Sequence, residues 1–213
     1  MKYLSKSLYF PPLEETTEEG LLAIGGDLSI DRLLLAYRSG IFPWFEDNQP
    51  ILWWSPDLRM VLFPENFHVS KSLQKTITSQ KFKITFNTCF PEVVKNCVLS
   101  NRKDQSGTWI TTEMEKAYCN LHLEGHAISV EAWKDDKLVG GLYGVDLKKE
   151  NVFCGESMFS KTSDASKVAF YFLVKYLQEK NYKLIDCQMY TEHLESLGAM
   201  EIPRETFLEY LTC

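Results

Sequence analysis

The sequence predicts an α+β protein: a small N-terminal domain over residues 1–63, then a larger domain over 64–213 built on a mostly antiparallel sheet. Three observations predict it. Five of the eight prolines lie between positions 11 and 56, beside Gly25-Gly26-Asp27 and Gly40, which marks the first part as compact and rich in turns. Three apolar segments, 127–133, 138–145 and 152–159, follow one another with only Asp135-Asp136 and the charged turn 148–151 between them, the spacing of an antiparallel meander. The strongest helical period, 165–179, comes after all three, so strands and helices do not alternate as they do in a parallel α/β sheet.

Each element has its local cause. Ser29 is placed to cap a short helix with Leu33, Leu34 and Tyr37 on its apolar face, and Gly40 to end it. Residues 59–63 read as a strand, 70–78 as a polar helix, and 82–87 as a strand in which Phe82, Ile84 and Phe86 alternate. Pro91 suits the first turn of a helix, and Thr112 with Glu115 has the spacing of a capping box for another, closed by Gly125. After the meander, Asp164 is placed to cap the helix 165–179; a strand over 184–189 and a short helix near 205–211 follow. Two helices, three antiparallel strands, a helix and a strand is the order of a GNAT-like acyltransferase domain, whose sheet splays to admit an acyl donor. The usual glycine-rich phosphate loop of that fold is replaced by Ser160-Lys161-Thr162-Ser163-Asp164, glycine-free and ending in an acid, so coenzyme A is a poor fit.

Composition narrows the function class. The chain is 45% hydrophobic and 24% charged, which excludes disordered and collagen-like proteins, and its net charge of −6 ordinarily argues against a polyanionic partner. That average hides an asymmetry. Residues 66–103 hold Lys71, Lys75, Lys81, Lys83, Lys95, Arg102 and Lys103 against Glu92 alone, a local +6 suited to phosphate. Six cysteines occur without a CxxC motif or a signal-peptide pattern, so a reduced, cytoplasmic setting is expected, and no apolar run approaches the ~20 residues of a membrane span.

Candidate chemistry gathers in two segments. In Leu184-Ile185-Asp186-Cys187-Gln188, period-two alternation puts Asp186 and Gln188 on one face, where they serve either to orient an amine or as a structural hydrogen-bonded pair. In residues 153–159, Glu156 and Gly155 are unusual inside an apolar strand; Glu156 reads as a binder of a cationic group or as an ion-paired acid at a bulge. Trp44 and Trp109 lie in turn-rich contexts, where indoles either fill a core or stack a nucleobase. Cys119, His122 and His126 are spaced poorly for a metal, and Cys154 and Cys187 have no nearby histidine to serve as a base.

Six segments together carry a resemblance: residues 20–28, Gly40-Ile41-Phe42-Pro43-Trp44-Phe45, 51–57, Gly107-Thr108-Trp109-Ile110-Thr111, 153–160 and 184–188. In this order they resemble the leucyl/phenylalanyl-tRNA protein transferase family over most of the chain. The resemblance implies transfer of leucine, phenylalanine or methionine from aminoacyl-tRNA to a protein beginning with arginine or lysine, forming a peptide bond and an N-end-rule degradation signal. It implies no cofactor and no metal, because an ester is exchanged for an amide. By the same resemblance Asp186, Gln188 and Glu156 are catalytic, Trp44 and Trp109 hold the 3′-terminal adenosine, Phe153 and Leu142 shape the side-chain pocket, and Lys71 and Lys75 track the acceptor stem. The pattern departs at Thr78, where a third basic residue is expected and for which Lys81 and Lys83 are substitutes, in a longer turn at 146–151, and in an end at Cys213 short of many relatives. The competing readings are a coenzyme-A-dependent N-acetyltransferase and a non-catalytic binder of tRNA or of degradation signals.

Overall fold

A computed structural model describes residues 2–46, 48–100 and 111–212. The first part carries β1 (Lys2–Leu4), β2 (Leu21–Gly25), α1 (Ile30–Arg38), β3 (Phe42–Pro43) and β4 (Leu52–Trp54), with the strands in a four-stranded sheet of order β1-β2-β4-β3. This sheet was not legible in the sequence. Its strands are two to five residues long and too short to show a period. Gly40, at a φ of 73°, ends the α1 turn as expected.

The larger sheet is built from β5 (Arg59–Leu62), β6 (Lys83–Phe86), β7 (Ala127–Lys134), β8 (Lys137–Leu147), β9 (Val152–Ser160), β10 (Leu184–Gln188) and β11 (Met200–Ile202). Between them run α2 (Lys71–Thr78), α3 (Phe90–Leu99), α4 (Thr112–Leu123), α5 (Ala165–Glu179) and α6 (Glu192–Ser196), and α7 (Arg204–Leu211) closes the chain. The strand order is β11-β5-β10-β9-β8-β7-β6, antiparallel everywhere except between β9 and β10, so the α+β class and the meander stand as expected. β5 lies on the N-terminal side of residue 63 yet pairs with β10 and β11 in this larger sheet.

Three caps differ from expectation. Ser29 stands at the N-cap position of α1, but its side chain accepts no helix N–H. Thr111, not Thr112, caps α4, its hydroxyl accepting from the Met114 amide at 3.2 Å, which puts Glu115 one position beyond the capping-box site. Asp164 precedes α5 in a left-handed conformation, and its carboxylate accepts from the Thr76 hydroxyl on α2 at 3.1 Å instead of capping the helix.

Helices cover both faces of the larger sheet. Phe90, Val93, Met114, Tyr118 and Leu121 of α3 and α4 share one core with Leu33, Tyr37 and Trp53 of the first part. Val168, Phe170, Leu173 and Leu177 of α5 fill the other, with Leu73 of α2 packed into it. Each such buried side chain contributes about 1.5–3 kcal/mol. The consequence for the site is a seam. β9 and β10 pair only over Leu184↔Val152, Ile185↔Phe153 and Asp186↔Cys154; beyond that point β9 continues with β8 while β10 turns away.

Candidate active site

The cavity lies where the two strands part. It has a volume of about 640 Å³ and is walled by Phe153 and Gly155–Ser160 of β9, Cys187–Thr191 at and beyond the end of β10, Phe170 and Leu173 of α5, and Pro43-Trp44 of the first part. Two bulges aim its polar groups. Across β8 and β9, Tyr143 pairs with Ser157 and Gly144 with Gly155, which leaves Glu156 as the extra residue. Across β10 and β5, Asp186 pairs with Val61 and Gln188 with Met60, which leaves Cys187 as the extra residue. Gln188 consequently adopts a φ of 57° and its side chain joins the cavity wall.

The second bulge overturns the shared face expected for Asp186 and Gln188. Asp186 is 1% exposed and outside the cavity lining. Its Oδ1 accepts from Nε of Arg59 at 2.7 Å and its Oδ2 from Nη2 at 2.8 Å, while the Gln188 amide also donates to Oδ1 at 3.0 Å. Arg59 is equally buried, and its guanidinium lies between the rings of Phe42 and Phe207 at 4.7 and 4.8 Å. Sequence reasoning missed Arg59. The available signal was a single charge in each of two apolar strands, an arginine in one and an aspartate in the other.

Glu156 is the acid that faces the cavity. Its Oε2 accepts from the Tyr118 hydroxyl at 2.6 Å, so the Tyr118 oxygen in turn accepts from the Tyr37 hydroxyl at 2.7 Å. Glu156 as a whole is half-buried because the cavity is open, but Oε1 is shielded and has no hydrogen-bond partner. Burial pushes the carboxyl up to about 7, a rise opposed by the tyrosine hydroxyls and assisted by the charge of Asp186. Burial also raises both tyrosines well above their ordinary value, so they remain donors. Gln188, also in the lining, has its Nε2 buried without a hydrogen-bond partner. A shielded carboxylate near neutrality and an amide with a free donor are the equipment for moving a proton from an amine and orienting a carbonyl group.

Leu142, Phe153 and Trp44 line the cavity; Trp44 is half-buried and its ring packs at 5.8 Å from that of Trp54. Trp109 lies outside the described residues, with Arg102 and Lys103. Lys71 and Lys75 are exposed on α2, which is anchored to α5 through Leu73 and the Thr76–Asp164 bond. His122 stacks on Phe90 at 4.2 Å and bonds the Ala127 carbonyl through Nδ1 at 2.8 Å, which accounts for it structurally. Among the described residues no helix is long and apolar enough to cross a membrane.

Residues 61–212 match the family described as leucyl/phenylalanyl-tRNA protein transferase, and residues 26–57 match the N-terminal domain of the same enzyme. The chain is 59% identical to the leucyl/phenylalanyl-tRNA–protein transferase of Flavobacterium johnsoniae over 99% of both chains. It is 55% identical to that of Pseudomonas syringae pv. syringae over 97% of this chain and 90% of the relative. Among solved structures, L-PGS from Bacillus licheniformis aligns with a TM-score of 0.49 at 10% identity, over 82% of this chain and 63% of that one.

Proposed function

The chain belongs to the leucyl/phenylalanyl-tRNA protein transferase family, and from that premise we propose that the cavity between β9 and β10 is where an aminoacyl ester meets an acceptor amine, with Glu156 as the proton carrier. The protein is an aminoacyltransferase acting on aminoacyl-tRNA and a protein N-terminus. The observation that carries the assignment of Glu156 is its shielded carboxyl, set near neutrality in a mostly apolar cavity. The acceptor's α-amine attacks the ester carbonyl; a C–N bond forms, the bond to the terminal ribose oxygen breaks, and the amine proton ends on that oxygen. Glu156 takes the proton and returns it, while Gln188 Nε2 donates to the carbonyl oxygen as charge develops there.

Asp186 acts through Gln188. Held by Arg59, it accepts the Gln188 amide and fixes the turn that presents the side chain, which makes it a positioning residue. Leu142 and Phe153 offer apolar walls to an aminoacyl side chain, leucine, phenylalanine and methionine fitting for lack of a branch at Cβ, and Trp44 with Trp109 holds the terminal adenosine. Acceptors begin with arginine or lysine, as in the family, and the products carry N-end-rule signals. Charged tRNA as donor sets the cytoplasm as the working compartment.

The deciding experiment is transfer of labelled leucine from Leu-tRNA to a protein beginning with arginine, with Val-tRNA and an alanine-initiated acceptor as controls. Transfer confined to the leucine and arginine pairing is expected; equal use of Val-tRNA or of the alanine acceptor overturns the specificity. For the donor's stem, Lys71→Glu with Lys75→Glu should raise the KM for aminoacyl-tRNA and flatten its salt dependence by about 0.7–0.9 logarithmic units per lysine. An unchanged slope in a salt titration removes α2 from the tRNA interface.

A further inference from the structure

The glycines of the larger sheet divide into two kinds. A β-carbon at Gly140 would stand 2.6 Å from the Ala165 β-carbon, at Gly141 2.7 Å from the Val130 carbonyl oxygen, and at Gly144 2.2 Å from the Cys154 carbonyl oxygen and 2.4 Å from Cζ of Phe153. Packing requires those three. Gly155, paired with Gly144 across β8 and β9, is different. A β-carbon there would meet nothing closer than the Asp186 carbonyl oxygen at 3.8 Å, with Cγ2 of Ile185 and Cε1 of Phe153 each at 3.9 Å. Its φ also lies outside the left-handed region, so the backbone does not require glycine. Glycine inside a strand is otherwise a disadvantage, because it loses more chain entropy on folding and packs no side chain.

What a side chain at 155 would occupy is the cavity. Gly155 lines it, immediately past the last β9–β10 pair, and the side chains nearest to it, Phe153 and Ile185, are themselves cavity walls. We propose that Gly155 is the residue that sets the depth of the donor side-chain pocket, leaving the room that a phenylalanyl ring needs and a leucyl side chain does not. This rests on the reading of the cavity as the aminoacyl site. A methyl group at 155 shortens the pocket between two apolar walls, and the longer, rigid side chain meets it first.

The test is Gly155→Ala assayed with Leu-tRNA and Phe-tRNA on one arginine-initiated acceptor, beside the parent and a thermal melt of each protein. The parent should use both donors. In the variant, kcat/KM for Phe-tRNA should fall about 10- to 200-fold relative to Leu-tRNA, the discrimination that one methylene confers in an apolar pocket. The KM for the acceptor should stay unchanged, and the Tm should be at or above that of the parent. An active parent with equal loss of both donors, or no loss of either, in the variant overturns the role of Gly155 alone. A variant that fails to fold overturns it too, because the fold would then require the glycine. A parent inert with both donors overturns the aminoacyl reading and this proposal together.

Discussion

Glu156→Gln should lower kcat for transfer by about 10²- to 10⁴-fold, the range that positioned proton transfer supplies, while the protein stays folded. The amide keeps the shape and still accepts from Tyr118 but takes no proton from the acceptor. The pH profile makes the prediction specific. With its carboxyl at about 7, Glu156 gives the parent a rate that rises with pH up to that value. The glutamine variant keeps only the limb of the acceptor's own α-amine, at about 7.7–8.0. Tyr118 donates to the carboxylate and so opposes the rise caused by burial; Tyr118→Phe should therefore move the Glu156 limb to higher pH.

Stability should move in the opposite direction to activity. A carboxyl raised from 4.5 to about 7 on folding favours the folded state fully below 4.5, and that contribution is lost as the pH climbs through about 7. At pH 8 the glutamine variant should thus be more stable than the parent by up to about 3 kcal/mol, and the difference should vanish near pH 4. Urea titrations at the two pH values check this. A glutamine variant with parental kcat moves the proton carrier away from Glu156.

The same region shows how far the sequence carried the structure. The meander, α5 and the strand 184–188 were legible because each is long or periodic enough for its apolar spacing to dominate. The two bulges were not. A bulge inserts one residue into one strand, and period-two reasoning has no means of detecting the inserted position. That one residue turned Asp186 away from the cavity and left Gln188 on its wall. Glu156 stands out in the sequence as a carboxylate inside a strand, but its partners do not, because Tyr37 and Tyr118 lie 119 and 38 residues away; Tyr37 reads as part of the apolar face of α1, and no local pattern marks Tyr118. Asp164 looked like a cap because its residue type suits one, yet Thr76 of α2 claimed its carboxylate.

Asp186→Ala should cost about 3–5 kcal/mol of folding stability, because it leaves the Arg59 guanidinium buried without its counter-charge. Arg59 already has Nη1 without a partner, so the bidentate contact supplies most of what compensates its burial, and Phe42 and Phe207 supply the rest through their ring faces. Those rings come from β3 and α7, so the loss should loosen the first part of the chain and the last helix around the cavity together. Arg59→Met combined with Asp186→Leu should recover most of the stability, since apolar replacement of both partners leaves no isolated charge. Transfer should stay low in this double variant, because the Gln188 amide has lost the carboxylate that fixes its turn. Asp186→Asn separates positioning from proton transfer. The asparagine carbonyl still accepts from Arg59 Nε and from the Gln188 amide, while its NH2 faces the Nη2 donor and the counter-charge is lost, so stability should fall. In the fraction that folds, a positioning residue predicts a modest fall in kcat, well short of that for Glu156→Gln. A folded Asp186→Asn enzyme as inactive as Glu156→Gln would instead assign the proton to Asp186.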